Sequence, residues 1–187
     1  KPGEMFKTPR AILTVCQGPI DVCCQRLTKS NEISMESTPR GESGLPIIFN
    51  EWCTSWGNPT HQSIVALADK IKDTGITYLV IDAGWYRKKG VKGGGAHGDW
   101  LADDCYFPDG IEATAKAIRD RGLIPGLWFE LETVCPGSSA YSQTEHLLKR
   151  DDRILNAGQR RFWSFCDPWV IEYLNDRVIK LLKKCGF

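Results

Sequence analysis

The sequence predicts an α/β protein built on a parallel sheet. Three observations carry this. Continuous apolar runs, "LPIIFN", "ITYLVIDAG" and "LIPGLWFELE", have the character of strands buried on both faces. A stretch with helical spacing follows each of them. The helix exits also echo one another, as "IKDTG-ITYLVID", "IRDRG-LIPGLWFE" and "LLKKCG-F". A βα unit that recurs in this way implies a parallel sheet with crossover helices. The arrangement is expected to be an incomplete (β/α)8 TIM barrel, its first three βα units, because a closed barrel takes about 250 residues. A doubly wound open sheet is the alternative. Its dinucleotide-binding form is disfavoured because the first βα turn lacks the glycine fingerprint.

The elements follow in order. Residues 1–44 differ from the rest. "AILTVCQG" and "DVCCQRLT" are short, β-branched and bounded by Gly and Pro, which reads as strands. "STPRGESG" at 37–44 reads as a linker, so a domain boundary is placed between 44 and 45. The first strand, 45–50, is followed by a helix over 60–75, with Thr60 as cap and Gly75 as stop. The second strand begins at Ile76, and its helix is "DGIEATAKAIRDRG". The third strand, 123–132, leads to "PWVIEYLNDRVIKLLKKCG", a helix with Pro168 in its first turn and Gly186 as its stop.

Composition narrows the function classes. The chain has 187 residues and a net charge of +1, so neither nucleic acid nor an anionic membrane is indicated. No run of about 18 apolar residues is present to span a bilayer. The eight cysteines form no C-x-x-C pair and the three histidines are scattered, so no metal site is expected. Several cysteines sit in apolar runs. They are expected to be reduced, mostly buried thiols in a cytoplasmic protein.

In parallel α/β folds, reactive and binding groups gather at the carboxyl ends of the strands. The three strand ends here read "NEW", "DAGW" and "LWFELE". Each offers a carboxylate and an indole. Carboxylates accept from several hydroxyls and indole faces pack on the C–H faces of a sugar ring, so the mixture suits a carbohydrate. A tryptophan on an apolar strand is, taken singly, more often core. Asp82 closes a wholly apolar strand, where desolvation needs a reason. The loop "YRKKGVKGGGAHGDW" lacks the G-K-[ST] ending of a P-loop and reads as a glycine-rich active-site loop whose end, Asp99-Trp100, folds back toward the site. A reading in which Asp82 and Glu130 are themselves an acid and base pair is open at this stage. So is a non-catalytic carbohydrate-binding or scaffolding piece.

The series "FNEWCTSWGNPT", "YLVIDAGWY", "GDW", "FPDGI", "GLWFELE", "HLLKRD" and "DPWVIEYL" resembles glycoside hydrolase family 36, the α-galactosidases or melibiases, from about residue 45 onward. Residues 1–44 resemble the tail of that family's N-terminal β-sandwich domain. The resemblance implies hydrolysis of terminal α-galactosides with retention, by one nucleophilic and one acid/base carboxylate, without metal or cofactor. In the family the nucleophile ends the fourth barrel strand. The helix at 178–187 is therefore expected to lead into that strand, the chain to be a fragment that stops before it, and no catalytic residue to lie within these 187 residues. Substrate-binding roles are implied for Trp52, Asp82, Trp128 and Arg161, with Arg160 one register away. The implied partner is a galactoside; whether the parent enzyme is a homo-oligomer is left open. Three positions depart from the pattern: Cys53, Ala83 where a second aspartate is common, and Leu131 where proline is common. Alanine at 83 removes an acceptor for a sugar hydroxyl, which bears on substrate choice.

Overall fold

In a computed structural model of the chain, residues 3, 5, 7–34, 44–91 and 95–187 are described. The expected linker lies outside the described residues apart from Gly44, as do residues 92–94 of the glycine-rich loop. The chain divides into two compact units, Lys1–Leu45 and Pro46–Phe187.

The first unit corrects the sequence reading. Helix α1 (Ile20–Ser34) occupies the place of the second expected strand, and 11–18 forms no strand either. Apolar residues at Ile20, Cys23, Cys24 and Leu27 already recur at helical spacing, and Asp21 sits at the positive end of the helix dipole. A strand needs a neighbour for its backbone groups, and the described residues of this unit supply none; a helix satisfies them internally. The β-sandwich strands expected here are thus absent from the described residues.

The second unit is built on three parallel strands in the order β1 (Ile47–Asn50), β2 (Ile76–Ile81) and β3 (Ile124–Leu127). Asn50 pairs with Val80, and Ile81 with Leu127, so the carboxyl ends of all three strands come out together. The ladder runs one step further, with Glu51 N–H donating to the Val80 carbonyl and Trp128 N–H to that of Ile81. Central β2 buries Leu79 and Ile81 completely. The first strand was expected to be buried, yet Ile47 and Ile48 are 57% and 59% exposed on β1, which stands at the edge of the sheet.

The helices take their expected places. After the single turn α2 (Trp52–Ser55), α3 (His61–Ile71) begins at Thr60, whose hydroxyl accepts from Ser63 N–H in a capping box. Such a cap contributes about 1 kcal/mol. Helix α4 (Gly110–Arg119) buries Ile111, Ala115 and Ile118 and packs between α3 and the C-terminal helix. Full burial of each isoleucine contributes about 1.5–3 kcal/mol. Past β3 the chain forms a small antiparallel sheet from β4 (Thr133–Val134), β8 (Arg160–Phe162) and β7 (Asn156–Ala157), while β5 (Lys149–Arg150) and β6 (Arg153–Ile154) make a separate hairpin. The last helix is one run in three parts: α5 (Pro168–Leu174) with Pro168 at its start, a π-turn over Asn175–Ile179, and α6 (Lys180–Cys185) closed by Gly186 at φ 70°.

The cysteines also differ from expectation. All eight are free thiols, but only Cys135 and Cys185 are buried. Cys24 on α1, Cys53 in the single turn α2, and Cys105 and Cys166 in turns are exposed. Among the described residues, no helix is long and apolar enough to cross a membrane.

Candidate active site

The aligned strand ends border a cavity of about 810 Å³, whose lining includes Asn50, Asp82 and Trp128, one residue from each strand exit. Asn50 donates from Nδ2 to Asp82 Oδ2 at 2.5 Å, and its own Oδ1 accepts from Trp52 N–H at 2.9 Å. The other Asp82 oxygen accepts from Ala83 N–H at 2.6 Å. Asp82 is thereby held, 8% exposed, at the cavity edge. Gly84 carries φ +100°, and an added Cβ there would strike the Gly57 carbonyl oxygen, so only glycine lets these two cavity segments pass so closely.

Four of the seven tryptophans form two pairs of opposite character. Trp52 and Trp56 stand at the cavity, 39% and 66% exposed, in an edge-to-face pair with centroids 6.1 Å apart. Trp85 and Trp100 are buried and stack on one another at 6.2 Å. The indole of "DAGW" is therefore core, and its Nε1–H donates to the Trp128 carbonyl at 2.9 Å, holding that strand exit in place. Asp99 and Trp100 are buried, but neither lines the cavity they were expected to fold toward. Asp99 accepts from Lys88 Nζ at 2.6 Å and from the amides of Ser139 and Ala140 at 2.9 and 3.0 Å.

Of the paired arginines, Arg160 lines the cavity and Arg161 does not. Arg160 Nη1 donates to Glu130 Oε1 at 2.6 Å. Arg161 instead donates to the Tyr141 carbonyl at 3.0 Å and lies 3.9 Å above the Tyr141 ring. The register of the small sheet explains this. Thr133 pairs with Phe162 and Val134 with Arg161, so Arg160 shares a face with Thr133, and Arg161 shares one with buried Val134. Glu130 is in the lining and Glu132 is not.

The Melibiase family pattern matches residues 5–187. The chain belongs to the Melibiase family. It is 27% identical over 178 residues to α-galactosidase AgaA of Geobacillus stearothermophilus, covering 95% of this chain and 24% of that one. It is 26% identical to α-galactosidase 1 of Pediococcus pentosaceus, over 98% of this chain and 26% of the relative. The α-galactosidase of Lactobacillus brevis superposes with a TM-score of 0.67 at 25% identity, over 76% of this chain and 19% of that structure. An AgaA variant solved with raffinose gives 0.64 at 25% identity, covering 73% of this chain and 19% of that one. The chain thus spans about a quarter of the length of these curated relatives.

Two further residues of this Melibiase chain, Glu51, the carboxylate of "NEW", and His97, meet their partners only in the fold. Glu51 is 1% exposed and accepts from Asp82 N–H at 3.2 Å. Burial pushes its carboxyl above the usual range, against opposing hydrogen bonds from Ser55 and the Asp82 amide. His97 bridges Tyr86 Oη, 2.7 Å from Nε2, and Thr133 Oγ1, 2.7 Å from Nδ1. Burial lowers the His97 pKa, against the opposing pull of Glu130, so the ring is neutral at neutral pH. Burial also raises the Tyr86 phenol, reinforced by the Glu130 charge. The only sequence signal for His97 is its place beside "GDW"; nothing local marks Tyr86 or Thr133 as its partners. Among the described residues, no group of three or more His, Cys, Asp or Glu side chains is placed to hold a metal ion.

Proposed function

We propose that this chain supplies part of the sugar-binding wall of a retaining α-galactosidase that hydrolyses terminal α-galactosides. The observation that carries the reading is the Asn50–Asp82 clasp at the mouth of a tryptophan-edged cavity, at the carboxyl ends of three parallel strands, in a Melibiase chain. Asp82 would accept from sugar hydroxyls, Trp128 and Trp52 would pack on the ring and its substituent, and Arg160 rather than Arg161 would donate from the far side. Raffinose and stachyose, bound in structures of a relative, set the oligosaccharide class to try first. Alanine at 83 leaves a non-polar patch beside Asp82, which favours a galactoside lacking or masking one hydroxyl there.

The same reading divides the chain near residue 44 and makes 45–187 the first half of a (β/α)8 barrel. By family resemblance the nucleophile and the acid/base carboxylate belong to later strands, so these 187 residues are expected to bind sugar and not to cleave it. Calorimetric titration of the chain with D-galactose, beside D-glucose as control, tests the binding half. Equal or undetectable binding of both would overturn it. Turnover of an aryl α-galactoside by the purified chain, above a mock preparation, would overturn the expectation of inactivity.

A further inference from the structure

A continuous chain of hydrogen bonds runs from the buried wall of the cavity, where Tyr86 and His97 border it, to its more exposed edge: Tyr86 to His97 at 2.7 Å, His97 to Thr133 at 2.7 Å, Thr133 to Glu130 at 3.0 Å, and Glu130 to Arg160 at 2.6 Å. Its far end fixes its direction. An ionised carboxylate only accepts, so the Thr133 hydroxyl donates to Glu130 Oε1. The Thr133 hydrogen is then used, and its oxygen accepts from His97, which places the ring proton on Nδ1. Nε2 is left as an acceptor, so Tyr86 Oη donates to it. Arg160, which has only donors, closes the chain on the same Oε1. The Thr133 hydroxyl also lies 3.4 Å from the Glu130 carbonyl oxygen, which is likewise only an acceptor, so the direction of the chain is the same.

We propose that Tyr86, His97 and Thr133 are positioning residues for the Glu130–Arg160 pair, fixing where the carboxylate points and so where the guanidinium donates into the cavity. The identification of the ligand as a galactoside rests on the function proposed above; the positioning does not. An exposed ion pair between two long side chains holds little geometry by itself. Here Arg160 is 48% and Glu130 22% exposed in the side chain, whereas Thr133, His97 and Tyr86 are each 2% exposed or less. The buried members are locked by packing: Tyr86 lies edge-on to Trp100 at 4.9 Å and stacked with Trp128 at 6.3 Å, and His97 lies 5.8 Å from Trp100. Thr133 is the joint, because its one hydroxyl carries the rigidity of the core to a carboxylate at the cavity edge.

The test uses Thr133→Val, which keeps the shape and removes the hydroxyl, with Thr133→Ser as the conservative control. NMR of the His97 ring nitrogens in the full chain should show the Nδ1–H tautomer in the native protein and its loss in Thr133→Val. The Arg160 guanidinium signals should sharpen into a slowly rotating set in the native protein and average in Thr133→Val, with Thr133→Ser restoring both. D-Galactose affinity should fall roughly tenfold in Thr133→Val, the effect of one lost hydrogen bond in a site. The double variant with Arg160→Ala should bind no more weakly than Arg160→Ala alone. Unchanged Arg160 signals in Thr133→Val, an Nε2–H tautomer in the native chain, or additive losses in the double variant would each overturn the proposal. If the Arg160 signals respond as stated while the native chain binds no galactose, the positioning chain stands and the galactoside reading falls.

Discussion

Asn50 and Asp82 end neighbouring strands and clasp one another, with Nδ2 of the first 2.5 Å from Oδ2 of the second. The sheet register brings them together, since Asn50 pairs with Val80 and Asp82 lies two residues beyond. Asp82 keeps lone pairs for a ligand while Asn50 and the Ala83 amide hold it in orientation. Asp82→Ala is therefore expected to weaken D-galactose binding by about 10- to 100-fold, the range for a lost hydrogen bond to a charged group, and Asn50→Ala by less. Calorimetry measures both, and equal losses would contradict the ordering.

The two arginines should separate cleanly. Arg160→Ala is expected to reduce galactose affinity with little change in melting temperature, because its side chain is half exposed and ends in the cavity. Arg161→Ala removes a cation–π contact and a hydrogen bond to Tyr141, so it should destabilise by about 1–2 kcal/mol, roughly 2–8 °C in Tm for a chain this size, with affinity unchanged. Thermal melts and titrations of the two variants, side by side, decide it.

Asp99 carries a pH signature. Burial pushes its carboxyl up, but hydrogen bonds from Lys88 and from the Ser139 and Ala140 amides outweigh that and hold it below the ordinary aspartate value. A folded-state pKa below the unfolded value, about 3.9, means that its stabilisation is present above that pH. The contribution is lost as pH falls through the folded value. Asp99→Asn should lower stability at neutral pH by about 2 kcal/mol and flatten the acid limb of the stability profile. Urea melts across the acid range measure this; a parallel loss at every pH would refute the assignment.

Glu51 has the opposite sign. Burial raises its folded-state pKa, so its contribution is present below the unfolded value, about 4.3, and declines as pH rises through the folded one. Glu51→Gln keeps an oxygen for the Asp82 amide and removes the charge. The variant is expected to match or exceed the native stability at neutral pH and to lose the native fall between acid and neutral pH. A marked loss of stability at neutral pH would show that the charged form is needed where it stands.

Much of the fold was legible because its signals are local. Buried strands, capped helices and their alternation read directly from residue period, and Thr60, Pro168 and Gly186 perform at helix ends as their chemistry dictates. The first unit was misread because short apolar stretches such as "DVCCQRLT" satisfy both periods, and the described residues offer no strand partner to choose the extended one. At the site, Asn50, Asp82 and Trp128 could be placed from strand ends alone.

The sequence by itself determined the Melibiase character of the chain, the parallel strands, and which residues leave them at the carboxyl end. Only the tertiary structure decided that Trp85 packs inward while Trp128 borders the cavity, that Arg160 and not Arg161 faces it, and that His97 links Tyr86 to Thr133. The physical reason is range. The direction of a side chain along one element follows from its own period, whereas the partner it meets depends on the register between segments up to dozens of residues apart, as Thr133 and Phe162 show.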